Sequence, residues 1–503
     1  MRSRFILLIL LLCLCLPLTP LDAQPLRRTG AKITNGVTDT LHPTVGLFIT
    51  DGECSATLIG CQTVLTAAHC ICGDHLGGPA CAARPDLVTP TGKFVFFQHA
   101  GLFAVSSVAV DPAYNAHSGV SDVAILHLAA QVTNIAPSPL NRIGSPPLGL
   151  PGEIVGYGST QTESTDDGIK RRGFVTTAAC DPAAAGFVCW NFKRPLGAPG
   201  TNSDTCFGDS GGPLFLSLGG RTVLAGVTSS GTNSECAPVD NSFDDDVFSD
   251  LAWIDSQGGA DLSATTCGPG PQIGGPGTTV LGSDLALSNS HNQVTTTVEV
   301  LVGTAELRVA LNSADWFDNS NALYIRHGAP ASTTTFDCKG DAPSGQQYCR
   351  VQNPAAGTWN ILASHLVGPG GGIQVTASLI SQPAVPSPCV PGPNTLCLND
   401  GRFKVEGTYQ TPDGQSGPAK VVKLTDEAGY FWFFSDSNVE AVIKVLNGCP
   451  VDQSYWVFAG GLTNVQTTVT VTDSTTGFAK TYSNPQGAAF QPIQDTAAFP
   501  ACP

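Results

Sequence analysis

The sequence predicts an all-β protein that is divided into several domains. Apolar and polar residues alternate in many short runs, as in 295–302 and 465–471, which is the pattern of a half-buried strand. Glycine and proline number 56 and 37 of 503 residues, without a Gly-X-Y repeat, which favours frequent turns and excludes collagen. Helical periodicity is scarce, and residues 248–254 form the best short candidate.

The charge and the first residues indicate an exported protein. The formal net charge of −16 argues against a nucleic-acid partner, because phosphate binding needs a basic face. Arg2 and Arg4 precede the apolar run 5–16, and Leu21-Asp22-Ala23 offers a cleavage point. We therefore expect a signal peptide over 1–23 and a secreted protein with no membrane attachment after cleavage. An uncleaved anchor is the alternative, but the run is shorter than the ~20 residues that a spanning helix needs.

Two segments rich in glycine and proline mark the domain boundaries. Residues 267–278 have the composition of a flexible connector, and residues 382–393 that of a stiffer, proline-rich one. We expect three β domains, at 33–262, 280–382 and 389–503, separated by linkers at 263–279 and 383–388.

The cysteines fit an oxidising compartment. Of 18 cysteines, Cys13 and Cys15 lie in the signal segment, which leaves 16. An even number in an exported chain favours disulfides over metal sites, and we expect neither a metal nor a cofactor. Short spacing indicates the pairs Cys338–Cys349 and Cys389–Cys397, with Cys449–Cys502 closing the last segment.

Three motifs in the first domain carry catalytic chemistry. A histidine lies in Thr66-Ala67-Ala68-His69-Cys70, Asp122 precedes an apolar run, and Ser210 lies in Gly208-Asp209-Ser210-Gly211-Gly212-Pro213. Taken singly, the histidine and the aspartate are more often structural residues. Together, in the order His, Asp, Ser, the three match one known arrangement of base, orienting acid and nucleophile.

With these motifs, residues 33–257 resemble the trypsin–chymotrypsin family of serine endopeptidases. The resemblance implies a double β-barrel and hydrolysis of peptide bonds through an acyl-enzyme. Ser210 would attack the scissile carbonyl, His69 would take and return its proton, and Asp122 would orient the histidine. The backbone N–H groups of Gly208 and Ser210 would form the oxyanion hole.

The resemblance also implies activation by cleavage. Ile33-Thr34-Asn35-Gly36 is similar to the start of the family's mature enzymes, and Lys32 is a tryptic cut site. Residues 24–32 would then be a pro-segment, and the new α-amino group of Ile33 would pair with the buried carboxylate of Asp209. The alternative is that residues 27–32 are a solvated tail.

Specificity follows from the same resemblance. Asp204 lies six residues before Ser210, where tryptic members keep an acid at the base of the primary pocket, so we expect cleavage of proteins or peptides after Arg or Lys. Ser229 and Gly231 would line the substrate strand, and Ser230 would widen the adjacent subsite. Asp246 either aligns with a pocket-wall glycine or belongs to a solvated acidic loop.

The family's disulfides map onto the first domain as follows: Cys54–Cys70, Cys180–Cys189 and Cys206–Cys236. Cys72–Cys81 would close an insertion after the histidine. Cys61 and Cys267 remain, and by elimination they would join the domain's C-terminal end to its first barrel.

The two C-terminal regions are expected to be β-sandwiches. Residues 280–382 resemble the bacterial pre-peptidase C-terminal (PPC) domain through 322–328, the Cys338–Cys349 segment and 353–359, with Trp359 in the core. Residues 389–503 carry aromatic runs at 430–434 and 455–458. Because both faces of 430–434 are apolar, we expect a buried central strand, with a carbohydrate- or protein-binding face as the alternative.

The complete set of motifs favours a secreted trypsin-like serine endopeptidase. A catalytically silent relative that acts as an extracellular binding or adhesion protein is the alternative. A carbohydrate-active protein is disfavoured, because no convincing pair of carboxylates accompanies the aromatic runs. The sequence leaves the oligomeric state open.

Overall fold

The computed structural model describes residues 33–73, 75–161, 164–268, 270–340, 342, 344–381, 389–452, 454–475, 477–499 and 502. The predicted signal peptide, pro-segment and second linker lie outside the described residues. The regular structure of the described part consists mainly of antiparallel strands, which confirms the predicted fold class. None of its helices has the length and apolar character needed to cross a membrane.

The first barrel closes on itself through six strands. After the short strand β1 (Val37–Thr38), these are β2 (Val45–Ile49), β3 (Glu53–Leu58), β4 (Thr63–Thr66), β5 (Phe94–Phe97), β6 (Gly101–Val110) and β7 (Ala124–Leu128), in the spatial order β2-β3-β4-β7-β6-β5. Three short helices follow β4: α1 (His69–Cys72), α2 (Gly78–Ala82) and α3 (Pro85–Val88). Alternate side chains fill the interior, including Phe48, Val95 and Leu126.

The second barrel also has six strands. They are β8 (Pro151–Gly156), β9 (Arg171–Ala178), β10 (Phe187–Phe192), β11 (Pro213–Leu218), β12 (Arg221–Gly231) and β13 (Asp240–Asp246). Pairing of β8 with both β9 and β11 closes the ring, and β1 adds to β9. The predicted helix is confirmed as α4 (Val247–Gly258), followed by a 3-10 turn at Gly259–Ser263.

The first connector is packed against the first barrel. Cys267 is bonded to Cys61, and the Ile273 amide donates to the Asn134 carbonyl over 2.7 Å. The Ile273 side chain is buried in the core of the first barrel. The expectation of a flexible connector is therefore wrong, because composition does not reveal that one isoleucine and one disulfide fasten the glycine-rich segment.

The next eight strands form a β-sandwich. They are β14 (Thr278–Leu287), β15 (Gln293–Val300), β16 (Thr304–Ser313), β17 (Ser320–His327), β18 (Cys338–Gly340), β19 (Gln347–Gln352), β20 (Gly357–Val367) and β21 (Gly371–Ser381). The two sheets have the orders β14-β21-β16-β19 and β15-β20-β17-β18. Their shared core contains Leu307, Val375 and Trp359, as expected for that tryptophan.

The last region forms a second sandwich. Its strands are β22 (Thr395–Leu398), β23 (Phe403–Gln410), β24 (Ser416–Pro418), β25 (Lys420–Lys423), β26 (Ala428–Trp432), β27 (Ala441–Asn447), β28 (Tyr455–Gly461), β29 (Gln466–Asp473), β30 (Ala479–Asn484) and β31 (Ile493–Phe499), with helix α5 (Cys449–Asp452). One sheet has the order β22-β23-β29-β30, with β24 on β23, and the other has the order β25-β26-β27-β28-β31.

The aromatic run 430–434 is buried on one face only. Phe431 and Phe433 lie in the core of the second sandwich, whereas Tyr430 and Trp432 are half-buried and Phe434 is 52% exposed. The expectation of a strand buried on both faces is wrong. In a two-layer sandwich the opposite sheet covers only the inner face of each strand, and the outer face stays accessible.

Eight disulfide bonds lie in the described part, in the pairs named from the sequence. They are Cys54–Cys70, Cys61–Cys267, Cys72–Cys81, Cys180–Cys189, Cys206–Cys236, Cys338–Cys349, Cys389–Cys397 and Cys449–Cys502. Five of them lie in the double-barrel region and its connector, and each sandwich has at least one of its own.

Candidate active site

His69 and Asp122 meet because the strands that carry them are neighbours. β4 leads into His69, β7 begins two residues after Asp122, and Thr66 pairs with Ala124. The His69 amide donates to Oδ1 of Asp122 over 2.8 Å, and Nδ1 of the ring lies 2.6 Å from Oδ2. Ser229 Oγ donates to the same Oδ2 over 2.7 Å. Asp122 is buried, so these donors stabilise a carboxylate that water does not reach.

Ser210 lies in the loop between β10 and β11, and the first barrel holds this loop in place. The Ser55 amide donates to the Ser210 carbonyl over 2.8 Å, and Sγ of Cys70 lies 3.8 Å from the same oxygen. Because Cys70 follows His69, these contacts bring the backbone of Ser210 close to the segment that carries the histidine, where the two barrels meet. Ser210 as a residue is half-buried.

The same loop presents two amide donors. Gly208 has φ +89°, a conformation that glycine adopts at little cost. Its carbonyl accepts from Ser55 Oγ over 2.9 Å, which fixes the peptide. Among the described residues, the amides of Gly208 and Ser210 have no hydrogen-bond acceptor. Two fixed and available N–H groups beside a serine are the arrangement that an oxyanion hole requires.

Asp209 is buried beneath this loop. Its carboxylate accepts from the amides of Gly158 and Cys206, each over 2.9 Å. Burial raises the pKa of Asp209 to about 7, against the opposing effect of these bonds and of the Arg171 charge. Ile33 is fully buried in the core of the second barrel. In the intact chain its nitrogen belongs to a peptide bond and carries no charge.

Asp204, the expected base of the primary pocket, is fully buried among polar side chains. Its Oδ1 accepts from Trp190 Nε1 over 3.2 Å and from Ser242 Oγ, whereas Oδ2 has no partner among the described residues. The backbone of Thr34 pairs with that of Asp204. Burial, reinforced by the neighbouring Asp240 carboxylate, raises the pKa of Asp204 well above its ordinary value.

Asp240 is a pocket residue that the sequence analysis missed. It accepts from the Thr232 amide and hydroxyl, each over 2.7 Å, and from the Asn233 amide over 2.9 Å. A Cβ on Gly231 would lie 2.6 Å from its Oδ2, so a larger residue would clash there. The signal was available, because Asp240 lies four residues after Cys236, whose disulfide staples this pocket.

Asp246 does not lie on the pocket wall. It caps helix α4 by accepting from the Phe248 amide over 3.1 Å, and it also accepts from Ser145 Oγ. Ser242 contacts Asp204 instead. The solvated-loop alternative is wrong as well, since residues 240–246 form a fully buried strand. An N-cap aspartate before an apolar helix explains Asp246 without any role in specificity.

A second buried acid supports Asp122 from behind, and sequence reasoning did not find it. The Asp122 amide donates to Oδ2 of Asp245. Burial and the adjacent Asp250 carboxylate raise the pKa of Asp245. No sequence motif indicates this contact, because Asp245 belongs to a run of three aspartates, and such a run is typical of an exposed loop.

One group of potential metal ligands lies at the site. Cys54, His69 and Cys70 place their ligand atoms within 4.8 Å of one another. The two sulfurs are joined in a disulfide, so they cannot act as thiolates.

Comparison with known proteins identifies the catalytic half of the chain. The sequence model of the family described as Trypsin matches residues 33–254. A trypsin of Saccharopolyspora erythraea is 33% identical over 200 residues, which cover 38% of this chain and 82% of the relative. Serine protease SSP1 of Scolopendra subspinipes is 30% identical over 231 residues, 40% of this chain and 72% of the relative. The chain, which has two barrels and a hydrogen-bonded His69–Asp122 pair, therefore belongs to the trypsin family of serine endopeptidases.

Proposed function

We propose that the protein is a secreted endopeptidase that cleaves proteins or peptides after Arg or Lys through an acyl-enzyme on Ser210. The observation that carries the specificity is the buried carboxyl group of Asp204, one of whose oxygens has no hydrogen-bond partner among the described residues. Burial and the neighbouring Asp240 carboxylate make the charged form of this group costly as long as no cation pairs with it. A cationic side chain in the pocket would remove that cost through charge-assisted hydrogen bonds.

The chemistry is assigned to residues that lie together at the barrel junction. Ser210 Oγ attacks the substrate carbonyl while His69 takes its proton, and the developing imidazolium is stabilised by Asp122. The Gly208 and Ser210 amides bind the oxyanion. His69 then gives the proton to the leaving amine, and water hydrolyses the acyl-enzyme by the same route in reverse.

Activation is proposed to follow cleavage after Lys32. The new ammonium of Ile33 would reach Asp209, whose carboxyl group is buried and held by two amides. Pairing would return Asp209 to its charged form and fix the oxyanion loop. Mass spectrometry of the active enzyme should find Ile33 at the N-terminus. A fully active enzyme that begins at Gln24 would overturn this step.

We assign residues 280–382 to a PPC-like domain and residues 389–503 to a C-terminal module without an activity of its own. The paired-sheet architecture of each region supports the assignment. Secretion is supported by eight disulfides, which persist in oxidising compartments.

A fluorophosphonate probe tests the catalytic proposal. The probe should label the mature enzyme at Ser210, and His69→Ala should remove labelling. Unlabelled, correctly processed protein would favour the silent relative.

A peptide library with varied residues before the cleaved bond tests specificity. We expect Arg and Lys to dominate, and Asp204→Asn to lower kcat/KM for an Arg substrate about 100-fold or more, because a charge-assisted bond is lost. A second variant, Asp240→Asn, tests whether the neighbouring carboxylate controls the pKa of Asp204. Without the second carboxylate the pKa of Asp204 falls, so the rise of kcat/KM with pH should move to lower pH. A preference for large apolar residues would overturn the specificity.

A further inference from the structure

The first sandwich reaches the protease domain through the loop between β16 and β17. A Cβ on Gly168, in the loop that follows β8, would lie 2.5 Å from the Ser313 carbonyl oxygen and 2.8 Å from Cβ of Trp316. Gln346 Nε2 donates to the Gly168 carbonyl over 2.9 Å. Trp316 is buried in a core cluster that it shares with Tyr157 of the protease domain. The loop is therefore built into the catalytic domain.

Trp316 bonds to a side chain at the oxyanion loop. Its indole Nε1 donates to Oε2 of Glu53, the first residue of β3. The other carboxyl oxygen of Glu53 lies against Gly208, because a Cβ at Gly208 would be 2.7 Å from Oε1. Two residues further along β3, Ser55 holds the Gly208 and Ser210 carbonyls. A line of contacts thus runs from the sandwich to an amide of the proposed oxyanion hole.

The electrostatics of Glu53 suit this position. Burial and the adjacent Asp167 carboxylate raise the pKa of Glu53 far above its ordinary value, despite the opposing indole bond. A protonated Glu53 places no negative charge beside the point where the substrate oxygen becomes negative. An exposed and ionised Glu53 would oppose that charge.

We infer that Trp316 of the sandwich is a positioning residue of the protease: by holding Glu53 against Gly208, it fixes one wall of the oxyanion loop. The sandwich is then part of the catalytic unit, and its removal would disturb chemistry as well as stability. The inference rests on the proposed function, because it assigns a role in the reaction at Ser210.

Trp316→Phe in the full-length, activated chain tests the inference. The N–H is lost and a smaller aromatic ring remains, and the same change of size is made in the control at Trp359. We expect kcat for an Arg ester or amide to fall about tenfold, since complete loss of an oxyanion donor costs about 10²–10³, while KM stays within about twofold. Binding of a peptidyl-argininal, which forms an oxyanion, should weaken in parallel. Binding of benzamidine, a cation that fills only the primary pocket, should not change.

Substitutions of Glu53 provide a second test of the inference. Glu53→Ala should reproduce the loss of kcat, and Glu53→Gln, which keeps the shape and an acceptor for the indole, should restore it. Because both residues act through one contact, Trp316→Phe combined with Glu53→Ala should be no worse than either alone. Additive losses would contradict the proposed line of contacts.

Trp359→Phe is the matched control. Trp359 is the buried tryptophan of the same sandwich, and its indole donates to the Ala355 carbonyl, away from Glu53. We expect a lower Tm and an unchanged kcat. Wild-type kcat in Trp316→Phe, or an equal loss of kcat in Trp359→Phe, would overturn the inference. Wild-type enzyme that fluorophosphonate does not label would overturn the proposed function itself, and the inference with it.

Discussion

The two C-terminal sandwiches differ in how they use the outer faces of their strands. In the first, several residues of β16 and β21 that point away from its own core are polar and yet buried, including Arg308, Gln374 and Ser378. They bond to the protease domain: Arg308 to the His99 and Thr133 carbonyls, each over 3.0 Å, and Ser378 to His99 over 2.9 Å. The first sandwich is thus joined to the catalytic domain.

The second sandwich is self-contained in the part of the chain that the structure describes. Its core consists only of residues between Leu396 and Phe499. The outward residues of β29, Thr468, Thr470 and Thr472, are half-buried and bond mainly along their own sheet. The two sandwiches have similar strand patterns, but only the first packs against the catalytic domain. They can be distinguished by whether the polar outer face is buried.

Truncation should give the largest difference in activity between chains that lack one sandwich and chains that lack both. A chain that ends at Ser381 should keep its activity, because no core residue of the protease domain comes from the second sandwich. A chain that ends at Gly277 should be insoluble or lose activity by more than about 100-fold, because Ile380 and Trp316 leave cores that they share with the barrels. Turnover per active site, counted with the fluorophosphonate probe, measures both. Equal activity of the two chains would break the comparison.

A pair of arginines tests the contrast without deletion. Arg308→Ala should destabilise the protease by about 3–5 kcal/mol, because a buried cation and its bonds to the first barrel are lost. Arg402→Ala removes the Arg402–Asp473 pair of the second sandwich and should unfold that module alone. Calorimetry with activity measured at each temperature should show inactivation moving only in Arg308→Ala. A shift of inactivation in Arg402→Ala would show that the second module also supports catalysis.

The dependence of stability on pH should also distinguish the protease domain from the second sandwich. Burial opposes the charge of His42 in the protease, but bonds to Asp39 and Glu153 outweigh it and raise its pKa to about 9. Because the folded pKa lies above the ordinary 6.5, the stabilisation is complete below about 6.5 and is lost as the pH rises through about 9. It amounts to about 3 kcal/mol.

The second sandwich should respond at acid pH instead. Burial of Asp473 is outweighed by Arg402, which lowers its pKa, so its contribution is present above the ordinary value of 3.8 and is lost on acidification. Melting curves from pH 3 to 10 measure both transitions. His42→Gln should flatten only the alkaline loss, and an unchanged alkaline loss would contradict the assignment.

The smallest expected effect comes from one neutral bond across the first interface. Gln98 Nε2 donates to Oε1 of Gln374 over 2.5 Å, and both residues are buried. Gln98→Ala should cost about 1–3 kcal/mol, because Gln374 keeps a buried acceptor without a donor. Ser483→Ala, which removes a solvent-exposed contact with Thr468, is the control and should change stability by less than about 0.5 kcal/mol. If the two substitutions changed stability equally, the contact between the first sandwich and the first barrel would be accessible to water.

Much of the catalytic region could be predicted because its signals are local. The residues around His69 and Ser210 form short contiguous motifs, and the apolar pattern of α4 stands out in a chain with little helix. Asp245 and Glu53 could not be found in this way. Each acts on a partner far along the chain, across strands whose pairing the sequence does not specify. Asp246 was misplaced for the same reason, since a shift of register by a few residues moves a side chain from a pocket wall to a helix cap.

The sequence by itself determined the all-β class and the chemistry available at three motifs, and it suggested the cysteine pairs, because alternation and short motifs are encoded by neighbouring residues. Only the tertiary structure decided which carboxyl groups lie near Asp204, and that the first sandwich contacts the loop that carries Gly208 and Ser210, whereas the second has a core of its own. The reason is that a polar residue on a strand looks the same in sequence whether water or another domain covers it, and only packing removes the water.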